Sequence, residues 1–387
     1  MSNSMRRVIF GGSFDPPTLA HLDMGLKLAE RFDQTIVVPA YISPFKKGGA
    51  ELDGSERELL LKKLFDGNDK ITVSDEEIAA GGTSYSYMTA QKLYNPDDEL
   101  YIAIGSDGLA SLDKWARTDI LAKIVTFYVV ERPYFKVKQA ELDNARKIFK
   151  VEIAPFVGKE GSSSLLRVAV AFGKSAEVAP PVVVEYIRNR GLYRDYDYIV
   201  SRYPEFDMKK SRAEHIYRTT KTAILLAKLN NVSTDKAIKA ALYHDIGKYV
   251  SREKLENLGI AWTNEIEELP ESCRHQLTGE AIANKCFGET DSDVLAAIAT
   301  HTTGAKNMSA LQKVIFAADY IEEGRDFDGL DKIRELTYDN LDEGVIAILK
   351  NTIAYLEASG QEIAPVTREA CEYMTLNKEN TNGNNDR

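Results

Sequence analysis

A histidine and an aspartate stand side by side, at His244 and Asp245, in a run of the sequence rich in alanine and leucine. Ser233 and Thr234 are good N-cap residues, and the apolar residues after them recur at helical spacing, which predicts a helix that Gly247 ends. His244 and Asp245 then point toward buried surface, where both are costly unless something replaces their lost water. A divalent metal would do that. A His–Asp hydrogen bond that fixes a tautomer is the alternative, and the dipeptide alone leaves both open.

Three more polar residues are predicted to face the same interior. His215 lies in the first turns of a helix for which Ser211 and Glu214 predict a capping box. His301 follows apolar residues three, four and seven positions earlier, so it also faces inward. Asp319 stands in an apolar helical run, where an unpaired carboxylate would neutralise or destabilise the fold. These positions favour a metal site over an isolated hydrogen bond.

The order His, His-Asp, His, His, Asp, with His275 as the third histidine, resembles the HD-domain metal-dependent phosphohydrolases. Residues 297–304, 313–322 and 324–327 resemble the YqeK-type branch, the bacterial symmetrical diadenosine tetraphosphate hydrolases. The resemblance covers residues 211–373. It implies an all-α HD domain that hydrolyses diadenosine tetraphosphate to two ADP.

The resemblance also assigns roles to residues. It implies a divalent metal, iron first with manganese or zinc as alternatives, which would make a water nucleophilic near neutral pH. The metal ligands would be His215, His244, Asp245 and Asp319, and Asp245 would act in catalysis with Lys248. The polyphosphate would lie against His275, His301, Thr302 and Arg325. His275 and His301 could instead hold a second ion, and the sequence leaves that open.

A strand, a glycine-containing turn and a helix follow one another near the N-terminus. Residues 7–10 predict a short buried strand, which runs into the segment 11–21 that contains the turn. A helix is predicted to follow, with Leu22, Leu26 and Ala29 on one face. This order places backbone N–H groups and a helix N-terminus beside a possible anion. The turn is not a Walker loop or a dinucleotide fingerprint, and a plain tight connection is the alternative.

Further short apolar runs alternate with helical patterns, at residues 35–38, 100–104, 125–130 and 150–153. They predict a Rossmann-like α/β domain with a parallel sheet covered by helices on both faces. Ligands of such sheets bind beyond the carboxyl ends of the strands, and the distinctive polar residues fall in those loops. They are His21, Lys46, Asp107 and residues 161–167.

These loops resemble the motifs of the (H/T)xGH nucleotidyltransferases, and among them nicotinate-nucleotide adenylyltransferase, over residues 7–193. Residues 11–15 and His21 match the first motif, and residues 161–167 match Ile-Ser-Ser-Thr-x-x-Arg with Gly161 and Ser164 substituted. Thr18 stands in place of the usual first histidine and Ala20 in place of the usual glycine. Residues 44–46, 83–86, 105–107 and 115 match further segments.

The resemblance implies that the phosphate of nicotinate mononucleotide attacks the α-phosphorus of ATP, with Mg²⁺ assisting. Positioning and charge stabilisation dominate such a step. The catalytic residues would be His21, Thr18 and Arg167, and Lys46 would steady the phosphate of the mononucleotide. The other nucleotide-binding residues would be Gly11, Gly12, Ser13, Phe14, Ser84, Tyr85, Gly105, Asp107, Trp115, Ser162, Ser163 and Ser164.

Thr18 brings no positive charge, and the methyl group of Ala20 restricts close approach of the backbone to ATP. The alternative hypothesis is therefore that only the hydrolase is active, and that the first domain is a degenerate nucleotide-binding regulatory module. We expect domains at residues 1–194 and 195–375, followed by a disordered polar tail at 376–387.

Bulk composition limits the partners. The net charge of -10 argues against general binding of nucleic acid, and no run approaches the ~20 apolar residues that span a bilayer. The three cysteines form no CxxC pair, which predicts a reducing cytoplasm. All five histidines fall on motif positions, which supports both sites. The sequence does not fix the oligomeric state, and a homodimer is one option.

Overall fold

The computed structural model describes residues 4–42 and 50–385, with side chains up to residue 377. The chain folds into two compact units, Met1–Arg194 and Asp195–Arg387. Lys46 and its neighbours 44 and 45 lie outside the described residues. In the described part of the chain, no helix combines the length and the apolar character needed to cross a bilayer.

The first unit is built on a sheet of six parallel strands in the order β3-β2-β1-β4-β5-β6. The strands are β1 (Arg6–Gly12), β2 (Gln34–Pro39), β3 (Ile71–Val73), β4 (Glu99–Gly105), β5 (Thr126–Glu131) and β6 (Lys150–Val157). The predicted parallel α/β fold is confirmed. We did not predict β3, because a strand of three residues shows too little alternation. The strand order reverses around β1, and ligand crevices open beyond the carboxyl ends at such points.

Helices cover both faces of this sheet, because successive strand residues point to opposite sides. Val8 and Phe10 of β1 belong to one buried apolar cluster, and Ile9 between them belongs to the other. The helices of the first unit are α1 (Leu19–Ala29), α2 (Gly54–Leu64), α3 (Glu76–Ala80), α4 (Ser86–Leu93), α5 (Thr118–Ile124), α6 (Gln139–Arg146), α7 (Ser163–Ala171) and α8 (Pro181–Arg190), with 3-10 turns at Ser106–Lys114 and Ser175–Glu177.

In the described residues of the second unit, all the regular elements are helices. Its helices are α9 (Asp197–Val200), α10 (Lys210–Leu229), α11 (Thr234–Tyr243), α12 (Arg252–Asn257), α13 (Asn264–Glu268), α14 (His275–Phe287), α15 (Ser292–Ala299), α16 (Ala310–Ile321), α17 (Leu330–Asp339), α18 (Leu341–Ala358) and α19 (Pro365–Asn385), with 3-10 turns at Tyr203–Phe206 and Glu271–Cys273. The long helix α10 packs on α11 and α16, and α15 packs on α11, α14 and α16. This group of helices carries the candidate metal ligands.

The structure differs from the expected helix ends at several places. The capping box of Ser211 and Glu214 does not form, because α10 begins at Lys210 and Ser211 already lies inside it; the N-cap residue Lys209 makes no side-chain cap. At the other end of the chain, α19 continues to Asn385, through most of the segment 376–387 that we expected to be disordered. No proline interrupts this segment, and a helix that packing has already nucleated extends at low cost.

Gly247 does not end α11 either. The helix ends at Tyr243, and His244 is its C-cap. The requirement for glycine at 247 is close packing, because a Cβ there would lie 2.3 Å from Oγ1 of Thr278 and 2.6 Å from the backbone nitrogen of Gly279. Gly247 therefore lets α14 approach the turn that carries His244, which brings the ligands of two helices together.

Candidate active sites

A cavity of about 400 Å³ lies where β1 and β4 end, at the reversal of the strand order. It contains many of the nucleotide-binding residues that the sequence predicts. The predicted residues that line it are Gly11, Gly12, Ser13, Ser84, Tyr85, Gly105 and Trp115. A Cβ at position 105 would lie 2.2 Å from Oδ1 of Asp107, so a larger residue there would displace the Asp107 side chain.

Two predicted residues do not line the cavity themselves. Phe14 is buried and packs edge-on against Phe10 and His21. Asp107 pairs with Arg132 at 3.4 Å, and it is Arg132 that lines the cavity. These two predicted ligands therefore support residues that face the cavity.

Trp115 offers the cavity a polar group. Its ring packs edge-on against Phe127, with the ring centroids 5.5 Å apart. Its indole N–H is buried and has no hydrogen-bond partner in the described part of the chain. A buried N–H left unpaired costs about 1–3 kcal/mol, so an acceptor on a bound ligand would be favoured at this place.

Thr18 and His21 form one hydrogen-bonded unit at the start of α1. Thr18 is the fully buried N-cap, and its backbone N–H donates to Nδ1 of His21 over 3.0 Å. Because Nδ1 accepts an N–H, the proton of the neutral imidazole is on Nε2. Capping of α1 therefore fixes the tautomer of His21 and makes Nε2 a donor, the group that a phosphate oxygen requires.

The serine-rich segment starts α7 and packs against the same turn. Ser162 caps the helix, Ser163 donates to the carbonyl of Pro16 over 3.1 Å, and Ser164 lies in the first turn. The preceding residue, Gly161, has a φ of +154°, and a Cβ there would lie 3.1 Å from Cβ of Ala20. Two of the four positions where this chain departs from the family motifs, Gly161 and Ala20, therefore lie next to each other.

Arg167 is held by a buried carboxylate. It donates to Oδ2 of Asp15 over 2.9 Å and stacks on the ring of Tyr193, 4.8 Å from its centroid. The Tyr193 hydroxyl also donates to Asp15. Burial and the charge of Asp15 raise the pKa of Tyr193 well above its ordinary value, so the phenol stays a donor. Thr18, His21, the serines and Arg167 form a second group that does not line the cavity.

In the second unit, the predicted histidines and aspartates converge on one place, which we call the histidine–aspartate cluster. His215 lies on α10, the pair 244–245 follows α11, His275 begins α14, His301 follows α15 and Asp319 lies on α16. Three groups each have ligand atoms within 4.8 Å of one another. They are His215, His244 and Asp245; His244, His301 and Asp319; and Asp245, His275 and His301.

Three of the imidazoles have their Nδ1 atoms engaged outside the cluster. His244 and His301 donate from Nδ1 to the carbonyls of Ala241 and Ile298, each over 2.7 Å. His215 Nδ1 bonds the buried carboxylate of Glu322 over 3.1 Å. Each of these rings therefore presents the lone pair of Nε2 to the centre of the cluster.

These lone pairs face anionic oxygens. His215 Nε2 lies 2.9 Å from Oδ1 of Asp319, and His244 Nε2 is buried with no hydrogen-bond partner in the described part of the chain. Burial opposes ionisation of Asp245, but the electrostatic influence of the neighbouring imidazoles, His244 first, holds its pKa well below the ordinary value. A lone pair and a carboxylate in contact repel unless a proton or a metal cation lies between them. The Nε2 atom of His244, which has no hydrogen-bond partner among the described residues, favours the metal, so the donor set fits a divalent ion.

The imidazoles of the cluster differ in their pKa: burial lowers the pKa of His215, but its hydrogen bonds to Asp319 and Glu322 outweigh burial and raise it, whereas two other histidines are shifted downward. Burial, then the charge of neighbouring His244, lowers the pKa of His301 to about 4. Burial and the charge of His301 likewise lower the pKa of His275 well below its usual range. Both imidazoles are therefore neutral at pH 7, and neutral imidazole is the form that binds metals.

The predicted polyphosphate residues border the cluster. Lys248 Nζ lies 3.3 Å from both ring nitrogens of His275, and Thr302 Oγ1 lies 3.1 Å from Nε2 of both His275 and His301. Arg325 donates to Oδ1 of Asp319 over 2.9 Å. The structure thus brings all the predicted groups of the second unit together.

Comparisons with known proteins agree with this division. Residues 9–169 match the family described as Cytidylyltransferase-like, and residues 212–324 match the HD domain. A probable nicotinate-nucleotide adenylyltransferase/Ap4A hydrolase of Mycoplasma genitalium is 29% identical over 356 residues, 89% of this chain and 96% of the relative. A symmetrical bis(5'-nucleosyl)-tetraphosphatase of Halalkalibacterium halodurans is 38% identical over 168 residues, 41% of this chain and 87% of the relative.

Through its second unit, the chain belongs to the family of symmetrical bis(5'-nucleosyl)-tetraphosphatases. The first unit carries a Cytidylyltransferase-like domain. Among solved structures, a predicted HD superfamily hydrolase involved in NAD metabolism from Clostridium acetobutylicum is 35% identical, covering 47% of this chain and 98% of that one, with a TM-score of 0.43. The two resemblances read from the sequence are confirmed, and the HD domain implies a divalent metal.

Sequence reasoning missed residues that hold the ligands of the tetraphosphatase unit. Arg212 donates to Oδ2 of Asp245 over 2.9 Å, and Glu322 accepts from both His215 and Arg218. Arg212 stands three positions before His215, so helical spacing could have indicated it. Glu322 stands three positions after Asp319 within the motif that we quoted, but nothing in its type distinguished it from a surface carboxylate.

Proposed function

We propose that the chain carries two activities, one in each unit. The second unit hydrolyses diadenosine tetraphosphate symmetrically to two ADP. The first unit transfers AMP from ATP to nicotinate mononucleotide and releases pyrophosphate. The names of the Mycoplasma and Halalkalibacterium relatives support this assignment, and the geometry of each site supports it independently.

The observation that carries the hydrolase proposal is the set of imidazole lone pairs facing two carboxylates. A divalent cation held by His215, His244, Asp245 and Asp319 would supply Lewis acidity, activating water and offsetting phosphate charge. We propose iron, with manganese or zinc as alternatives, because several imidazoles with carboxylates suit these metals better than calcium.

The other residues at the cluster act on the substrate. Lys248 and Arg325 bring positive charge to the polyphosphate, and the Thr302 hydroxyl donates to a phosphate oxygen. His275 and His301 either contact the polyphosphate or hold a second ion with Asp245. Elemental analysis of the purified chain decides this, since two ions per chain favour the second arrangement.

The hydrolase proposal is tested with diadenosine tetraphosphate and chromatography of the products. We expect ADP as the sole nucleotide product, because water attacks at the middle of the symmetrical chain. Formation of ATP with AMP, or faster turnover of a guanosine tetraphosphate alarmone, would contradict the proposed substrate or its mode of cleavage.

The observation that carries the transferase proposal is the cavity at the ends of β1 and β4, which the predicted nucleotide-binding residues line. The Nε2–H of His21 donates to the phosphates of ATP, and Arg167 with residues 162–164 holds the β- and γ-phosphates, assisted by Mg²⁺. Tyr85 and Trp115 receive the nicotinate ring in the cavity. Lys46 steadies the phosphate of the mononucleotide.

This proposal is tested by incubating the chain with ATP, nicotinate mononucleotide and Mg²⁺ and measuring dinucleotide and pyrophosphate. Nicotinamide mononucleotide serves as the comparison substrate. If neither mononucleotide yields a dinucleotide while ATP still binds, the first unit is the regulatory module that Thr18 and Ala20 suggested as the alternative.

We further propose that the chain acts in the cytoplasm on small nucleotides and that it forms a homodimer. Its three cysteines are free thiols, which a reducing compartment preserves. Light scattering of the purified chain gives its oligomeric state, and cell fractionation gives its location.

A further inference from the structure

Arg57, on α2, has one of the most buried side chains of the first unit, with 2% of its surface exposed. No carboxylate among the described residues forms an ion pair with it. Its guanidinium donates instead to four backbone carbonyls: to Leu52 over 3.2 Å, Ser13 over 2.9 Å, Ala40 over 2.5 Å and Tyr41 over 3.4 Å. Burying a charge without an ion pair is costly, so these bonds must serve a purpose that an apolar side chain could not.

The four carbonyls belong to segments that border the cavity. Ser13 follows β1, and Ala40 and Tyr41 follow β2, the neighbouring strand. Ser13 and Ala40 themselves line the cavity. One rigid planar guanidinium thus fixes the relative positions of two loops at the carboxyl edge of the sheet, which its fork of donors is suited to do.

The bond to Ser13 also fixes the orientation of one peptide group. Phe14 has a φ of 47°, a left-handed conformation that costs a non-glycine residue about 1–3 kcal/mol and persists only when its surroundings hold it. Because the peptide is planar, holding the Ser13 carbonyl toward Arg57 turns the Phe14 N–H the opposite way.

The amides of this loop are available to a ligand. In the described part of the chain, the backbone N–H groups of Ser13 and Phe14 have no hydrogen-bond acceptor. Successive free N–H groups in a turn that includes a left-handed residue form a concavity suited to an anion. We propose that Arg57 is a positioning residue of the adenylyl-transfer site, which holds the loops after β1 and β2 in the shape that binds ATP.

The proposal rests on the proposed transferase function. A second buried side chain, Asp15, holds the same loop together with Arg57. The Asp15 carboxylate accepts the N–H groups of Glu51 and Leu52, each over 3.1 Å, in the turn that precedes α2. The loop after β1 is therefore bonded to the start of α2 through Asp15 and to the body of α2 through Arg57. Burial lowers the pKa of Arg57, and the nearby charge of Asp15 raises it, so the two charges support each other.

The test compares Arg57→Met, which keeps length but removes every donor, with Arg57→Lys, which keeps the charge and part of the bonding. Leu60→Ala is the matched control, because Leu60 is fully buried three positions further along α2 and its side chain carries no donor that could hold a loop. Melting temperature, equilibrium binding of ATP, and kcat and KM for both substrates are measured for each variant, well below its melting temperature.

We expect Arg57→Met to weaken ATP binding and to raise the KM for ATP by about tenfold or more, as loss of charge-assisted hydrogen bonds implies. Arg57→Lys should recover part of this loss. Leu60→Ala should lower the melting temperature and leave KM unchanged, because partial unfolding reduces the amount of active protein and not its affinity. If Arg57→Met does not fold, Arg57→Lys provides the same comparison.

Unchanged ATP affinity and KM in the Arg57 variants, with changes in melting temperature alone, would overturn the proposal and leave Arg57 a structural residue. A wild-type chain that binds ATP but forms no dinucleotide would contradict the transferase function while the binding measurement still tests Arg57. A wild-type chain that does neither would overturn both.

Discussion

The two candidate sites are made from different parts of the chain. In the tetraphosphatase unit, side chains from five helices meet, and each histidine ligand is oriented by a bond to a backbone carbonyl or a carboxylate. In the transferase unit, the cavity at the ends of the parallel strands is lined by three glycines and by apolar and polar side chains, and the polar side chains predicted to act on the phosphates stand in a second group. The first site depends on which side chains supply donor atoms, and the second depends more on where the backbone of its loops lies.

This difference explains what each site tolerates. Replacing a side chain that supplies a donor atom removes that atom, and no neighbour can take its place. Replacing a residue near the cavity changes the transferase site through loop position, so neighbouring substitutions can compensate. The tetraphosphatase unit should therefore lose activity abruptly, and the transferase unit gradually.

The largest effect is expected for Asp245→Ala. It should abolish hydrolysis of diadenosine tetraphosphate and lower the metal content, because Asp245 contributes to two of the three candidate ligand groups. Adenylyl transfer should remain, since the residues of that site lie in the other unit. The measurements are both activities and elemental analysis, with the exposed Asp331→Ala as control. Loss of both activities would show that the units are not independent.

A smaller effect is expected for Glu322→Gln. The buried Glu322 carboxylate orients His215, and removing its charge should weaken metal binding by about 10–100-fold, as for other residues that support a ligand. Competition with a chelator measures the affinity directly. Glu323→Gln is the matched control, because this neighbouring carboxylate is exposed and pairs only with Lys221 among the described residues. Equal affinities in the two variants would contradict the role of Glu322.

The sequence predicted the parallel sheet and the residues of the histidine–aspartate cluster because their signals are local: apolar runs, and polar residues at buried helical positions. It did not predict that Phe14 packs on His21 and that Asp107 pairs with the cavity-lining Arg132, because both contacts depend on where loops lie after the sheet forms. Arg57 gave no signal, since an arginine in a short helix ordinarily faces solvent. Gly247 was predicted to end a helix, whereas glycine is required there because α14 packs closely against it. This packing is a long-range effect that the local sequence does not show.

Thr18→Val tests whether capping positions His21. Valine keeps the shape but loses the hydroxyl that accepts the His21 N–H, which should cost about 1 kcal/mol of folding stability. We expect the kcat for adenylyl transfer to fall with it, because the orientation of His21 depends on the same turn. Thr18→Ser, which keeps the hydroxyl, is the control in both urea unfolding and activity assays. Full activity of Thr18→Val would show that the cap formed by Thr18 is not needed to position His21 for adenylyl transfer.

The smallest effect, about 0.5 kcal/mol, is the coupling between Gly161 and Ala20, which is also the sharpest test of compensation. Gly161→Ala adds a Cβ 3.1 Å from the Cβ of Ala20 in a backbone conformation that favours glycine, so it should cost about 1–2 kcal/mol. Ala20→Gly removes the opposing methyl group, and the double variant should recover part of this loss. A double-mutant cycle in urea unfolding and in kcat/KM measures the coupling, about 0.5 kcal/mol or more if the two positions share one space. Strict additivity would mean that the methyl of Ala20 does not occupy the room that a side chain at 161 needs, and that these two departures from the family motif arose independently.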